Sequence, residues 1–365
     1  MPLDLAIIGG GPAGAAAAFT AARRGLSVAI VERGEFPRDK VCGEFISPEA
    51  LPLLSQMAPD LVAAAPSITR VEFIAPRGRP RGFPLPEPAL GISRLGLDAA
   101  LWQAAGAAGA TLMPHTAAES VETAFTTFRL RLAGGNALDT RALDARALIV
   151  AAGRWFRLPG LVGDPAAGRT HPWLGVKARF RGLAPRAALE LYCFPGGYCG
   201  LAPVENDWTN LCCLIHRDRA GALADSRDFA AWIAAAANHP ALRDRLRAGV
   251  QVTPTLVTAP VLIGPRAPVN GRALFAGDAA GFIDPFTGDG IARALLSGAL
   301  AVEQLADPAA YAATLARSAR PAERASRRLR ALVSAPGWLQ SAAITALARP
   351  PFGPRLLAAT RWRTL

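Results

Sequence analysis

Three glycines near the amino terminus have the spacing of a phosphate-binding turn. Gly9, Gly11 and Gly14 follow an apolar stretch at 5–8 and precede a helix-forming stretch at 15–24. The first glycine permits a tight turn, the second lets the backbone approach a diphosphate, and the third lets the helix pack closely against the strand. Free N–H groups at the start of a helix attract phosphate oxygens, so the pattern predicts a nucleotide-binding turn.

An acidic residue follows where a nucleotide ribose needs a hydrogen-bond acceptor. Residues 26–31 are predicted to form a second strand, and Glu32 at its end lies 18 residues after Gly14. A carboxylate at this distance accepts hydrogen bonds from ribose hydroxyls. The strand, glycine turn, helix, second strand and acid predict a Rossmann-like βαβ unit, and they leave NAD and FAD as alternatives.

A second glycine-rich segment favours a flavin. A predicted strand leads to Gly277 and Asp278, small residues follow, and Gly288 and Gly290 precede a predicted helix at 291–305. N–H groups at the start of this helix can point at the pyrimidine edge of a flavin, where negative charge develops on reduction. Asp278 also has an ordinary alternative role, because aspartate often caps helices.

These motifs together resemble the p-hydroxybenzoate-hydroxylase-like superfamily of FAD-dependent oxidoreductases, in the branch that holds geranylgeranyl reductases and flavin monooxygenases. The resemblance is carried by both glycine segments, Glu32-Arg33, residues 40–44, Arg94 with Leu97-Asp98, residues 175–177 and residues 194–198. It implies that FAD is the cofactor and that Asp278 hydrogen-bonds the ribityl chain of FAD. It also implies that Arg94 lies near the FAD phosphates or the flavin ring.

The predicted FAD-binding residues come from several separate segments, including a strand at 145–153 that ends in a small-residue turn. They are Gly9, Gly11, Pro12, Ala13, Gly14, Glu32, Arg33, Cys42, Gly43, Arg94, Ala152, Gly153, Gly277, Asp278, Pro285, Gly288, Asp289, Gly290 and Ile291. NADPH or NADH is expected as a transient electron donor, although no second glycine motif predicts a stable site for it. No metal is expected, because the histidines and cysteines lack the spacing of metal ligands.

Two side chains are candidates for catalysis on the substrate side of the flavin, by the same resemblance. Cys42 could donate a proton from its thiol or shape the pocket, or it could be a small buried residue, as most free cysteines are. Tyr198, in the predicted turn at 194–198, could orient a substrate or cap the core.

The resemblance implies an α/β fold with a discontinuous, Rossmann-like FAD-binding domain at 1–75, 93–160 and 265–330. A mostly antiparallel substrate-binding domain at 76–92 and 161–264 is inserted into it, with strands predicted at 174–180, 188–194, 200–203 and 209–216. Residues 331–365 are predicted to form a helical carboxyl-terminal segment.

Three functions fit these motifs. The first prediction is a monooxygenase that hydroxylates a hydrophobic aromatic or polyketide-type molecule, and the alternative is reduction of isoprenoid C=C bonds in the manner of geranylgeranyl reductases. A third possibility is an electron-transfer or non-catalytic flavoprotein. Halogenation is not expected, because the segment at 198–203 lacks the Trp-x-Trp-x-Ile-Pro sequence of flavin halogenases.

The net charge of +12 comes almost entirely from arginine, because Lys40 and Lys177 are the only lysines. Arginines between Arg317 and Arg330 recur at spacings of three and four, which places several on one helical face. Such a face could rest on an anionic membrane or could simply be solvated. We expect a hydrophobic small-molecule substrate, either free or bound to a carrier protein, and no nucleic acid. Five cysteines without a secretory signal favour a cytoplasmic location.

Overall fold

The elements of the fold are defined by a computed structural model that describes residues 1–76, 79–134, 141–162, 172–221, 228–333, 335–347, 349 and 352–362. The strands are β1 (Leu3–Ile8), β2 (Val28–Val31), β3 (Phe45–Ile46), β4 (Ser67–Ile74), β5 (Arg81–Gly91), β6 (Thr111–Met113), β7 (Thr116–Thr123), β8 (Phe128–Gly134), β9 (Arg141–Val150), β10 (Trp173–Arg181), β11 (Ala188–Phe194), β12 (Gly197–Val204), β13 (Trp208–His216), β14 (Val250–Gln251), β15 (Leu256–Thr258), β16 (Gly264–Pro265), β17 (Val269–Asn270), β18 (Ala273–Phe275) and β19 (Gly281–Phe282). The helices are α1 (Pro12–Arg23), α2 (Leu51–Met57), α3 (Pro59–Ala64), α4 (Arg94–Ala107), α5 (Arg217–Ala220), α6 (Phe229–Ala237), α7 (Pro240–Leu246), α8 (Gly290–Glu303), α9 (Pro308–Val333), α10 (Gly337–Leu347) and α11 (Phe352–Thr360).

The first sheet has parallel strands at its centre, in the order β18-β9-β1-β2-β6. β17 lies antiparallel to β18, and the β7–β8 hairpin joins the sheet through β8 and β9. β1 and β2 are almost continuously apolar and buried, as expected for parallel strands that are covered on both faces. Side chains of α1, α4 and α8 pack against one face, including Ala16, Leu101 and Leu295.

The second sheet is mostly antiparallel, in the order β14-β10-β13-β12-β11-β4-β5-β3, with β15 paired to β10. One pair within it, β4 with β11, is parallel. Phe229 and Ile233 of α6 and Leu242 of α7 belong to the core on one side of this sheet. Leu329 and Ile344, from α9 and α10, belong to the core on the other side, so the carboxyl-terminal helices cover the sheet.

The predicted fold class is confirmed: a Rossmann-like parallel sheet is combined with a second, mostly antiparallel sheet and a helical carboxyl-terminal segment. The strand Ser67–Ile74, assigned from the sequence to the FAD-binding unit, hydrogen-bonds instead within the second sheet. Its first residues alternate between exposed and buried, which suits an antiparallel sheet with one covered face. Parts of the predicted substrate-binding unit, 163–171 and 222–227, lie outside the described residues, and the domain division as a whole stays a prediction.

Helix α9 separates charged and apolar residues along its length. The exposed arginines are Arg317, Arg320, Arg324, Arg327 and Arg328. Ala322, Ala325 and Leu329 of the same helix are buried, so the arginines share the solvent-facing side. Among the helices that the structure describes, we find none with the length and apolar character needed to cross a membrane.

Candidate active site

The glycine turn connects β1 to α1 with the geometry that its sequence predicts. Gly9 has a φ of +105°, and Gly11 is the residue that precedes the first turn of α1. A Cβ atom placed on Gly14 would lie 1.8 Å from the carbonyl oxygen of Gly9, so only glycine permits this helix to pack here. The amino end of α1 is therefore available to a phosphate group.

Glu32 is held at the end of β2 by two backbone donors and one cation. Its carboxylate accepts hydrogen bonds from the N–H of Gly10 at 2.8 Å and from that of Gly34 at 2.9 Å. Arg38 lies 2.8 Å from the same carboxylate. Burial raises the pKa of Glu32, but the two hydrogen bonds and Arg38 outweigh it and lower the pKa below its usual value. The side chain is therefore an ionised acceptor, as ribose recognition requires.

The turn opens into a cavity of about 780 Å³ that is lined by the first sheet, the loop 38–45, β15, β16, β19 and parts of α8 and α9. The structure brings together most of the predicted site residues there. Those that line the cavity are Gly9, Gly11, Pro12, Ala13, Glu32, Arg33, Cys42, Gly43, Arg94, Ala152, Gly153, Gly277, Asp278, Pro285, Gly288, Gly290 and Ile291. Gly14, Asp289 and Tyr198 do not line it.

Asp278 lies in a tight turn on the cavity wall. The N–H of the preceding residue, Gly277, donates to Ser297 Oγ at 2.9 Å, which ties the turn to α8. The Asp278 carboxylate is about one-third exposed and lies 3.7 Å from the Arg154 guanidinium. Among the described elements it caps no helix, so the capping role has no support and the carboxylate can accept hydrogen bonds from a ligand in the cavity.

Gly288 and Gly290, at the start of α8, line the cavity, whereas Asp289 does not. Gly288 has a φ of +66°, and Gly290 begins the helix. Asp289 is fully buried, with Ser47 Oγ at 3.5 Å and Arg293 at 3.8 Å from its carboxylate. Burial raises its pKa to about 7, against the opposing charges of Arg293 and Arg361. The structure therefore gives no support to Asp289 as a cofactor-binding residue.

A buried ion cluster fixes the loop that precedes β3 to strand β10. Glu44, whose φ is +58°, accepts hydrogen bonds from Lys177 Nζ at 2.6 Å and from Arg179 Nε at 3.0 Å. The Asp39 carboxylate accepts from the same two side chains, at 2.6 and 2.9 Å. Lys177, Arg179 and Glu44 are each exposed by 1 % or less. Two cations and two anions balance, so every buried charge in the cluster has a partner.

Cys42 and Tyr198, the two catalytic candidates, lie in different surroundings. Cys42 lines the cavity, and its carbonyl oxygen accepts a hydrogen bond from Asn210 at 3.0 Å. Tyr198 is buried in the core of the second sheet, where its ring makes an edge contact with Phe286 at 4.7 Å between centroids. Burial raises the pKa of Tyr198 well above its usual value. The arrangement makes Cys42 available to a bound molecule and makes Tyr198 a core residue.

Sequence reasoning did not assign a role to several charged residues of this site. Lys177 and Arg179 hold the Cys42 loop, and Lys40 and Arg38 line the cavity beside the glycine turn. One signal was present in the sequence, because the only two lysines of an arginine-rich chain are Lys40 and Lys177. Both lie in the segments that carry the family resemblance.

The residues around the cavity fit FAD. Two helix amino ends, an ionised acceptor at Glu32 and cations near Gly11 match the charges of a dinucleotide phosphate and ribose. When bound, FAD supplies reversible two-electron chemistry. The fold and the cavity together define an FAD-dependent oxidoreductase.

Comparisons with known proteins agree with this class. Residues 3–180 match the family model described as pyridine nucleotide-disulphide oxidoreductase. A menaquinone reductase from Mycobacterium tuberculosis is 30% identical over 340 residues, covering 83% of this chain and 76% of that protein. A geranylgeranyl diphosphate reductase from Rhodobacter capsulatus is 37% identical over 117 residues, covering 32% of this chain and 29% of that protein.

Solved structures share the fold at lower identity. A flavin-dependent brominase has a TM-score of 0.77 at 18% identity, covering 99% of this chain and 93% of that chain. A geranylgeranyl bacteriochlorophyll reductase-like protein from Thermoplasma acidophilum has a TM-score of 0.76 at 19% identity, covering 95% and 90%. The chain belongs to the family of FAD-dependent oxidoreductases that includes the menaquinone reductase, and it shares its fold with the brominase and the reductase-like protein.

Proposed function

We propose that this enzyme reduces a C=C bond of a hydrophobic, isoprenoid-bearing substrate. Menaquinone and geranylgeranyl diphosphate, which the names of two relatives contain, both carry isoprenoid chains. Apolar and aromatic side chains line much of the cavity, including Val41, Phe45, Phe156 and Phe282. Such a lining suits a substrate with little polarity.

The observation that carries the proposal is the position of Cys42. Saturating a C=C bond requires a hydride, which reduced FAD supplies, and a proton from a second donor. Cys42 lines the cavity on a loop that Lys177 and Arg179 hold in place, and its Sγ accepts a hydrogen bond from the N–H of Glu44 at 3.4 Å. None of the described cavity-lining residues is a histidine, and among the other groups that line the cavity we assign the proton to the Cys42 thiol.

The overall reaction adds two hydrogens to the substrate and consumes two electrons from the flavin. A proton from solvent restores the Cys42 thiol, and an external donor restores the reduced flavin. NADPH or NADH remains the predicted donor. Exposure to air distinguishes reduction of the quinone ring from reduction of the isoprenoid chain, because a quinol is oxidised back to the quinone whereas a saturated chain bond is not.

The test is product analysis with holoprotein that has been reduced anaerobically by dithionite. Menaquinone and geranylgeranyl diphosphate are supplied separately, and the products are examined by mass spectrometry after exposure to air. A gain of two hydrogens in the isoprenoid chain supports the proposal. A product labelled by oxygen-18 gas in aerobic turnover would instead identify the hydroxylation that the sequence put first, and would overturn the proposal.

Peripheral contact with an anionic membrane is the second part of the proposal, because isoprenoid-bearing substrates partition into lipid. The exposed arginines of α9 form a cationic face, and Arg320 both belongs to it and lines the cavity. We expect sedimentation with phosphatidylglycerol vesicles at low salt and little with phosphatidylcholine vesicles. The variant Arg324→Glu/Arg327→Glu/Arg328→Glu should abolish it. Binding to an acidic carrier protein, without vesicle binding, would contradict the membrane contact.

A further inference from the structure

Two cations face the amino end of α1, where the glycine turn leaves room for a diphosphate. A Cβ atom placed on Gly11 would lie 3.8 Å from Lys40 Nζ and 4.0 Å from an Arg94 guanidinium nitrogen. Both side chains belong to residues that line the cavity. Phosphate oxygens that accept from the N–H groups of this turn would therefore lie close to both positive charges.

Arg94 and Lys40 differ in whether a carboxylate already neutralises their positive charge. Arg94 makes a two-pronged ion pair with Asp98, with both hydrogen bonds at 2.7 Å. The described hydrogen bonds of Lys40 use only its backbone groups, which contact Asp39 and Lys177. Within the part of the chain that the structure describes, no carboxylate lies within ion-pair distance of Lys40 Nζ.

The pKa of Lys40 is lower than that of an ordinary lysine. Burial first, and then the positive charges of Arg94 and Arg38, lower its pKa to about 8, while Asp98 and Glu32 act in the opposite direction. Asp98 and Glu32 are themselves engaged, the first by Arg94 and the second by Arg38. An anion placed beside Lys40 would favour its protonated form.

We propose that Lys40 binds the diphosphate of FAD and takes up a proton when FAD binds. The diphosphate brings negative charge to a position that already holds a half-buried amine with no carboxylate partner among the described residues, whereas Arg94 keeps its charge with or without the cofactor. Lys40 is thus the residue through which FAD affinity depends on pH. The proposal concerns cofactor binding and does not depend on which substrate the enzyme reduces.

The direction of the effect follows from the two protonation states. Below the pKa of Lys40 in the flavin-free protein, the amine is already charged and FAD binding needs no proton. Above that pKa, binding must first recharge the amine, and affinity falls by up to tenfold for each pH unit. Between about pH 7 and about pH 9, the Kd for FAD should therefore rise about tenfold.

The experiment titrates full-length protein, freed of flavin, with FAD and follows flavin fluorescence at several pH values. Titrations stay at about pH 9 or below, because the flavin ring itself loses a proton at more alkaline pH. Calorimetry in two buffers of different ionisation enthalpy measures proton uptake directly. We expect uptake of a fraction of one proton at about pH 8 and almost none at about pH 6.5.

Two substitutions at Lys40 test separately whether FAD binding needs a positive charge there and whether titration of the amine causes the pH dependence. Lys40→Arg should bind FAD with a Kd that hardly changes between neutral and alkaline pH, because a guanidinium remains protonated. Lys40→Met should weaken FAD binding by about tenfold or more at neutral pH and should also lose the pH dependence. Arg33→Met is the matched control, since Arg33 lines the same cavity but is exposed. Its effect on the Kd should be equal at all pH values.

Three results would overturn the proposal. They are a wild-type Kd that does not change with pH, a Lys40→Arg variant that retains the wild-type pH dependence, and a folded Lys40→Met variant with unchanged affinity. Circular dichroism and the melting temperature establish folding for each variant. If Lys40→Met does not fold, Lys40→Arg and the wild-type proton uptake still decide the question.

Discussion

The ammonium group of Lys177 lies 2.6 Å from Glu44 Oε1, and both side chains are fully withdrawn from solvent. This contact joins β10 of the second sheet to the loop that presents Cys42 to the cavity. Glu44 also accepts a hydrogen bond from the backbone N–H of Arg94 at 2.6 Å, so one carboxylate connects the loop, the second sheet and the start of α4. The cavity wall therefore depends on an ion pair between distant parts of the chain.

Removing Lys177 should strongly destabilise the protein. Lys177→Met leaves an excess negative charge in a buried cluster, and breaking a pair of this kind costs about 3–5 kcal/mol. Lys177→Met/Glu44→Gln should recover part of the loss, because Arg179 and Asp39 remain paired at 2.9 Å. Urea unfolding measures each free energy. Arg129→Met, which removes an exposed ion pair with Asp144, is the control and should change little. A double variant no more stable than Lys177→Met would argue against charge balance.

Replacing Cys42 should impair reduction without removing the flavin. Cys42→Ala is expected to lower the rate of C=C reduction by about a hundredfold or more, the usual contribution of a positioned proton donor. The visible spectrum and the flavin content should stay close to those of the wild type. Cys193→Ala is a suitable control, because Cys193 is buried in the second sheet and does not line the cavity. Wild-type rates in Cys42→Ala would assign the proton to another group.

Asp278 should contribute directly to FAD affinity. Asp278→Ala removes a carboxylate acceptor on the cavity wall, and hydrogen bonds to charged groups contribute about 1.5–3 kcal/mol. The Kd for FAD, measured by fluorescence titration, should therefore rise by about ten- to a hundredfold. Asp218→Ala, at an exposed side chain outside the cavity, should leave the Kd unchanged. An equal Kd in Asp278→Ala and the wild type would exclude the ribityl contact.

Asp289 should make stability fall as the pH rises. Its pKa is raised by burial from 3.8 to about 7 in the folded protein, so the folded state holds a proton that the unfolded state releases. The stabilisation that protonated Asp289 gives to the folded state is complete below about pH 4 and is lost as the pH rises through about 7. One of its carboxylate oxygens has no hydrogen-bond partner among the described residues, which agrees with a protonated group.

Asp289→Asn removes the titration while keeping the shape. The stability of the wild type relative to this variant should decline by about 2–4 kcal/mol between acidic and mildly alkaline pH. Urea unfolding of both proteins at a series of pH values measures the difference, with the exposed Asp218→Asn as control. A difference that is constant with pH would mean that Asp289 is ionised throughout.

The parts of the site that the sequence predicted are built from neighbouring residues. The glycine turn, Glu32 and the Gly277-Asp278 turn depend on local backbone geometry, and the structure places them around one cavity. The directions of the Asp289 and Tyr198 side chains could not be predicted from their neighbours in the sequence. Asp289 is next to the glycine that begins α8, but its side chain turns into the core. Tyr198 is in a strand, and a strand directs alternate side chains to opposite faces.

The sequence by itself determined the cofactor class and the elements around the two glycine segments, because a few contiguous residues set each of those turns, strands and helix starts. The tertiary structure alone decided which charges meet. Glu44 and Lys177 are 133 residues apart and pair only because tertiary folding brings β10 beside the loop that precedes β3. Tertiary packing also places the half-buried Lys40 beside Arg94 at Gly11. Burial and the distance between charges, which no local pattern contains, decide whether a buried charge is compensated.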